Sequence, residues 1–379
     1  MDGTLQQQTM PIVYRKKLVL FLIMFIHLKF FVQIVMDIQF VLMDLALYGL
    51  LLACIDYRRI RWSFVLLVLI AMVSLMNPAA RNIFVIFLLT YIISKLPLQT
   101  ILWYNLISQI VIFSVATIFL LLGITEAELF QQTVFDTRVR YDYGMGNPNT
   151  FALFTYSAII NLYLFAGYRN RWVMWIIFIV GLVVAKYTGS RTFLVAVLSL
   201  IICNLIKRRF EIRKNITKVI YAVMPLLFFG IIFYFSINYM EFPAVNLLFS
   251  GRLELYNSLI TQSSPMQVLI GTPLINEKTI DNSFLHIVYE GGIIPLVIFI
   301  YLYYNLLFRS NLKELSILLP LFISVFMVGL TESVLTFTLI FGNMIIWVIM
   351  YKVFMGETLT EMLNITTDNE EDCRISSIQ

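Results

Sequence analysis

Arg191 and Arg252 are the residues in this chain whose placement most needs a chemical reason. Arg191 stands in Lys186-Tyr187-Thr188-Gly189-Ser190-Arg191-Thr192, and Arg252 follows Ser250-Gly251. A guanidinium stays charged and presents a planar fork of donors that matches phosphate oxygens. Leu253 to Ile260 reads as a short amphipathic helix with Ser250 as its N-cap. Free amides at that helix start, beside the Arg252 charge, would make an anion site. Contact with lipid headgroups, or a surface ion pair of Arg252 with Glu254, is the competing reading. Downstream, Asp281-Asn282-Ser283-Phe284-Leu285-His286 supplies a carboxylate, an amide and an imidazole. Asp281 is placed to act as general base toward a hydroxyl, with His286 about a turn and a half further along a helix as the other base candidate. Capping by Asp281 and Asn282, or a structural role for His286, competes with this. Asn282, Glu332, Arg138, Arg140 and Asn149 are secondary candidates for the same site, Glu332 with an equal claim to a capping role.

Several chemistries lack their motifs. The chain has no Walker sequence, no Cys/His metal cluster, no HExxH and no paired acidic motif of the DxD kind in a basic-flanked connection. We therefore expect no metal and no cofactor, and disfavour a transferase that takes nucleotide sugars on the cytoplasmic side.

These residues need elements to hold them, and the composition says of what kind. Hydrophobic residues make up 60% of the chain and charged residues 13%, against about 25% charged in an ordinary soluble domain. Lipid must be the main solvent. The expected fold is an all-α polytopic membrane protein, 1–379 being one integral membrane domain. About twelve apolar stretches approach the roughly 20 residues a span needs: 18–36, 38–55, 62–77, 83–95, 100–123, 151–167, 172–187, 192–206, 219–237, 285–308, 316–333 and 336–354. Arg15, Lys16 and Lys17 precede the first with no cleavage site after it, so no signal peptide is expected.

Orientation follows from where the basic residues fall. One set of connections holds Arg15, Lys16, Lys17, Arg58, Arg59, Arg61, Lys95, Arg169, Arg171, six residues between Lys207 and Lys218, Arg309, Lys313, Lys352 and Arg374. That is 19 of the 27 basic residues; the opposite set holds six (Arg81, Arg138, Arg140, Arg191, Arg252, Lys278), and Lys29 and Lys186 fall within spans. The first set is expected in the cytoplasm, with both termini. Cys54, Cys203 and Cys373 fall at cytoplasmic segment ends, where unpaired thiols persist. The two longer connections, 124–150 and 238–284, then lie outside, and such loops commonly carry function. The net charge of +5 comes from topology and does not imply nucleic-acid binding. The acidic 356–379 segment reads as a cytoplasmic tail. Lys29 and Asp44, each roughly 10 Å deep on adjacent antiparallel spans, read as a structural ion pair, and His27 as structural.

With these pieces in order, the chain resembles the bacterial O-antigen and capsular polysaccharide polymerases (Wzy type) and the O-antigen ligases. The resemblance is carried by Gly146-Asn147-Pro148-Asn149-Thr150-Phe151-Ala152, Gly189-Ser190-Arg191-Thr192, Ser250-Gly251-Arg252, Asp281-Asn282-Ser283-Phe284-Leu285 with Glu290-Gly291-Gly292-Ile293, and Leu330-Thr331-Glu332. It covers about residues 140 to 340. It implies an enzyme on the outer face of the cytoplasmic (inner) membrane, moving a glycan from an undecaprenyl-pyrophosphate-linked oligosaccharide donor to a lipid-linked repeat-unit acceptor. It also implies pyrophosphate binding by Arg191 and Arg252, and association with a flippase and a chain-length regulator. Ligases typically carry His-Asn where this chain has Asp281-Asn282, so the polymerase branch fits better. A ligase acting on another acceptor, or a lipid-linked oligosaccharide flippase, is the alternative. A flippase would show short loops, repeat symmetry and a charge-lined central cavity.

Overall fold

The computed structural model describes residues 12–38, 41–55, 78–126, 129–130, 139–209, 214–271, 281–336 and 341–363. The expected third span (62–77), Arg138, Lys278, Cys373 and the tail beyond 363 lie outside them. The described chain is helical apart from one short ladder. The helices are α1 (Ile12–Phe30), α2 (Val41–Cys54), α3 (Pro78–Ile93), α4 (Leu98–Leu121), α5 (Pro148–Leu162), α6 (Arg171–Thr188), α7 (Arg191–Arg209), α8 (Lys214–Ile237), α9 (Pro243–Leu248), α10 (Arg252–Gln262), α11 (Pro265–Ile270), α12 (Ser283–Leu285), α13 (Ile293–Arg309), α14 (Leu312–Gly329), α15 (Phe341–Phe354) and α16 (Leu359–Met362). Strands β1 (Leu129–Phe130) and β2 (Arg140–Tyr141) pair antiparallel, Leu129 opposite Tyr141.

Among the described residues six helical stretches are long and apolar enough to cross a membrane: Lys16–Val35, Leu98–Leu121, Pro148–Gly167, Arg171–Thr188, Ile216–Ile237 and Leu312–Gly329. The protein is an all-α membrane protein. Among the described residues four shorter apolar helices, Val41–Cys54, Asn82–Ile93, Ile293–Arg309 and Met344–Phe354, join them in the bundle. α14 lies at its centre and packs along α7; Leu315, Leu318, Leu321, Phe322 and Phe326 are fully enclosed.

Local chemistry sets the helix ends. Asn147 accepts from the Asn149 amide at 2.8 Å ahead of Pro148, starting α5. Asn311 and Glu314 cap α14 reciprocally at 2.9 Å each. Gly189, at φ 62°, ends α6 in the left-handed turn. Inside α8, Pro225 cannot donate to the carbonyl of Tyr221 four residues back. The Tyr303 hydroxyl donates to that carbonyl at 2.8 Å, and Tyr304 does the same for Ala222 at 2.7 Å. α13 thus restores the ladder that proline opens in α8.

The connections sort onto two faces. On one, Gln99 and Arg169 reach the Leu363 carbonyl, Arg309 donates to Phe354, and Glu314 accepts from Thr360. Arg140 reaches Thr188 and Arg252 reaches Thr331 on the other. We call the latter the loop face, because Arg140 of the 124–150 connection and Arg252 of the 238–284 connection both lie there. Between the faces, Lys29 Nζ lies 2.5 Å from Asp44 Oδ1, so the expected α1–α2 ion pair is present.

Two local expectations are corrected. The helix expected over 285–308 is broken. Ser283–Leu285 passes into a π-helical turn, His286–Glu290, and the chain turns at Gly291-Gly292 before α13. Gly292 has φ 87°, and a Cβ there would lie 2.8 Å from the Ile270 carbonyl carbon, so the end of α11 docks where only glycine fits. Ser250 is not the cap of α10. Its φ is 57° and Gly251 holds the N-cap position at φ 78°, with no side-chain cap bond. A capping side chain needs extended backbone, which this left-handed pair excludes.

Candidate functional site

α10 begins directly after that left-handed pair, which turns Arg252 toward the α14–α15 connection. Its guanidinium is engaged on three sides. Nη2 lies 3.2 Å from Asp281 Oδ2, Nη1 lies 3.4 Å from Glu332 Oε1, and Nη1 also donates to the Thr331 carbonyl. Glu254, the expected local partner, is replaced by two carboxylates distant in sequence. Leu253, Tyr256 and Leu259 bury the apolar side of α10 against Ile232, Leu285 and Val288, and so fix where Arg252 stands.

Asp281 does not cap a helix. Its side chain faces Arg252, while its carbonyl accepts the Tyr256 hydroxyl at 2.8 Å. Asn282 is the cap: its Oδ1 accepts from the Leu285 amide at 2.8 Å, and its Nδ2 donates to the Leu330 carbonyl at 2.6 Å. Ser283 Oγ donates to the Glu332 carbonyl at 2.8 Å and accepts the Leu335 amide at 3.1 Å. The Asp281–Ser283 segment is thereby stitched to the 330–335 turn. His286 turns away to Glu290, Nε2 to Oε2 2.7 Å. The expected turn-and-a-half spacing below Asp281 gives way to this pairing within the π-helical turn.

Arg140 extends the site from the other long connection. It donates through Nε to the Thr188 carbonyl at 2.7 Å and through Nη2 to Asn149 Oδ1. Arg191 is exposed at the start of α7; its neighbour Thr192 bonds Thr331 hydroxyl to hydroxyl at 2.7 Å. Asn149, Tyr156, Ser190, Thr192 and Glu332 line a cleft of ≈ 10 Å³, about one water. A larger cavity, ≈ 520 Å³, is lined by Asp37, Glu126, Asp142, Gly144 and Gly146. Among the described residues no group of three His, Cys, Asp or Glu is placed to hold a metal ion.

The electrostatics follow from burial set against charge. Burial raises Glu332 to about 7, with Arg252 and Arg140 pulling the other way. Burial likewise raises Asp281 above the ordinary carboxylate range, partly offset by Arg252 and His286. For Arg252 burial favours loss of the proton, but Glu332 and Asp281 outweigh it and raise the group. The arrangement is an arginine shared by two carboxylates, one of them poised near neutrality. It can bind an anion by exchanging a partner, and it can take up a proton.

Of the expected residues, Arg252, Asp281, Asn282 and Glu332 come together, and Arg140 with Asn149 forms the adjoining wall. Tyr256, Ser283 and Thr192 belong to the same network; Ser283 and Thr192 lie within the quoted motifs without a role of their own, and Tyr256 carries no sequence signal. Comparison with protein-family models, with characterised proteins and with solved structures finds no match.

Proposed function

We propose that this protein is a glycan transferase of the polysaccharide-polymerase kind, working on the outer face of the cytoplasmic membrane with about twelve spans and both termini inside. Its donor is an undecaprenyl-pyrophosphate-linked oligosaccharide and its acceptor a lipid-linked repeat unit. The observation that carries this reading is Arg252 held between Asp281 and Glu332 where both long connections converge. The Arg140 charge also acts on Glu332, and Arg191 borders the site beside Thr192.

In this reading the lipid pyrophosphate is already the activated leaving group. Asp281 accepts the proton of the acceptor hydroxyl, whose oxygen bonds to the donor's anomeric carbon. The bond from that carbon to the pyrophosphate oxygen breaks, and the departing lipid pyrophosphate keeps the electron pair. Arg252, with Arg140 and Arg191 contributing, stabilises the charge that develops there. Asp281 suits the base role because burial lifts its proton affinity toward the working pH. Membrane-reconstituted protein is supplied with lipid-pyrophosphate-linked repeat units, excess chelator and no nucleotide sugar. The expected product is a glycan ladder; a requirement for nucleotide sugar or for a divalent metal overturns the proposal.

A further inference from the structure

We infer that Glu332 is a proton-coupled wall of the phosphate site: a lipid pyrophosphate enters between Arg252 and Arg140, and Glu332 releases Arg252 by taking a proton in place. The identity of the anion rests on the function proposed above.

The Nη1–Nη2 edge of the Arg252 fork is taken on both sides. Asp281 occupies Nη2 and Glu332 with the Thr331 carbonyl occupies Nη1, so a phosphate that binds this edge displaces a carboxylate. The two carboxylates differ in what they can do. The Asp281 side chain is 36% exposed, and water can take it when its partner leaves. Glu332 is 11% exposed at its side chain, and its backbone is fixed on both sides. Its amide donates to Val328 at 2.9 Å, its carbonyl accepts Ser283, and the preceding Thr331 is tied to Thr192. It cannot follow Asp281 into water, so neutralisation is the route left to it.

The charged and titratable groups that face Glu332 are Arg252 and Tyr256 from α10, Asp281 from the segment before α12, and Arg140 from the 139–147 connection. α5 contributes Asn149 and Tyr156, the turn before α7 contributes Ser190, and α7 contributes Thr192, none of them charged. Burial already raises Glu332 to about 7. A multiply negative phosphate arriving at the same arginine withdraws the ion pair and adds repulsion, and both effects favour the protonated carboxyl. Binding and proton uptake are then linked.

The test is calorimetry of farnesyl pyrophosphate binding to the full-length protein in phosphatidylcholine nanodiscs, in phosphate-free buffers of different ionisation enthalpy, between pH 6.5 and 8.5. Glu332→Gln keeps the side-chain shape and carries the ligand's own titration, so the difference from wild type counts the protein's proton. Wild type should take up about one more proton per ligand than Glu332→Gln at pH 8. Its affinity should fall roughly tenfold more per pH unit above 7 than the variant's, leaving Glu332→Gln about tenfold tighter at pH 8. Glu332→Asp should restore the pH dependence, which a merely structural role would not require. Equal proton uptake in wild type and Glu332→Gln, or weaker binding by Glu332→Gln at pH 8, overturns this inference and leaves the function standing. Absence of farnesyl pyrophosphate binding by wild type at every pH overturns both.

Discussion

Arg252 enters any reaction with its partners already in place, so its contribution depends on exchange as much as on charge. A lysine keeps the charge but loses the fork that serves Asp281, Glu332 and Thr331 together. Arg252→Lys and Arg252→Ala should each lower the rate of ladder formation by about 10²–10³, and Asp281→Asn by about 10²–10⁴ with donor binding retained. Normal ladders from Arg252→Ala would remove it from the site. The pairing of Arg252 with distant carboxylates could not be read from the sequence. Glu254 was the nearest acid, but a residue two positions along a helix points away from its neighbour. Glu332 lies 80 residues downstream of Arg252, and only the packing of α10 onto α8 and the 283–290 turn brings them together. Asp281 and Asn282 are recognisable as a pair, and their roles separate because Asn282 holds the cap and leaves the Asp281 side chain to Arg252.

Helices obey their own local rules, and most of these were readable. Asn147-Pro148, Asn170 and Gly189 sit at helix ends and set them by cap chemistry that residue type alone suggests. The π-helical turns at Phe31–Val35, Tyr163–Gly167 and His286–Glu290 were not expected, because apolar periodicity does not distinguish one extra residue per turn. The Lys29–Asp44 pair was readable from depth alone. Lys29 is 8% exposed, and the Asp44 side chain is 46% exposed, which limits what the pair is worth. Lys29→Leu or Asp44→Leu alone should lower stability by about 1–3 kcal/mol, below the cost of breaking a fully enclosed pair. The double change should recover most of that loss. Folded yield and thermal midpoint in detergent measure both, and two silent single changes would mean that the contact does not matter.

Across the molecule, the basic residues of the described connections can be placed by face from their hydrogen bonds. Lys95, Arg169, Arg309 and Lys313 belong to the face that gathers Leu363, whereas Arg140 and Arg252 belong to the loop face. With Cys54, Cys203 and Cys373 removed, a single cysteine at Gln262 should react with an impermeant thiol reagent in intact cells, and one at Thr360 should not. The reverse pattern would invert the orientation. What composition could not supply was the depth of each helix in the packed bundle. α14 and α15 are as apolar as α4, yet they lie inside while α4 exposes Trp103, Ile110 and Leu121. Hydropathy measures exclusion from water and is blind to whether protein or lipid takes its place.

The docking of α11 on Gly292 gives the 252–271 arm a mechanical character. At its far end the backbone of Ile270 rests directly on glycine, a contact that depends on shape and not on charge or pH. At its near end Arg252 is fastened by charge to Asp281 and Glu332, above the apolar packing of Leu253, Tyr256 and Leu259. Added salt therefore acts on one end of the arm and leaves the other untouched.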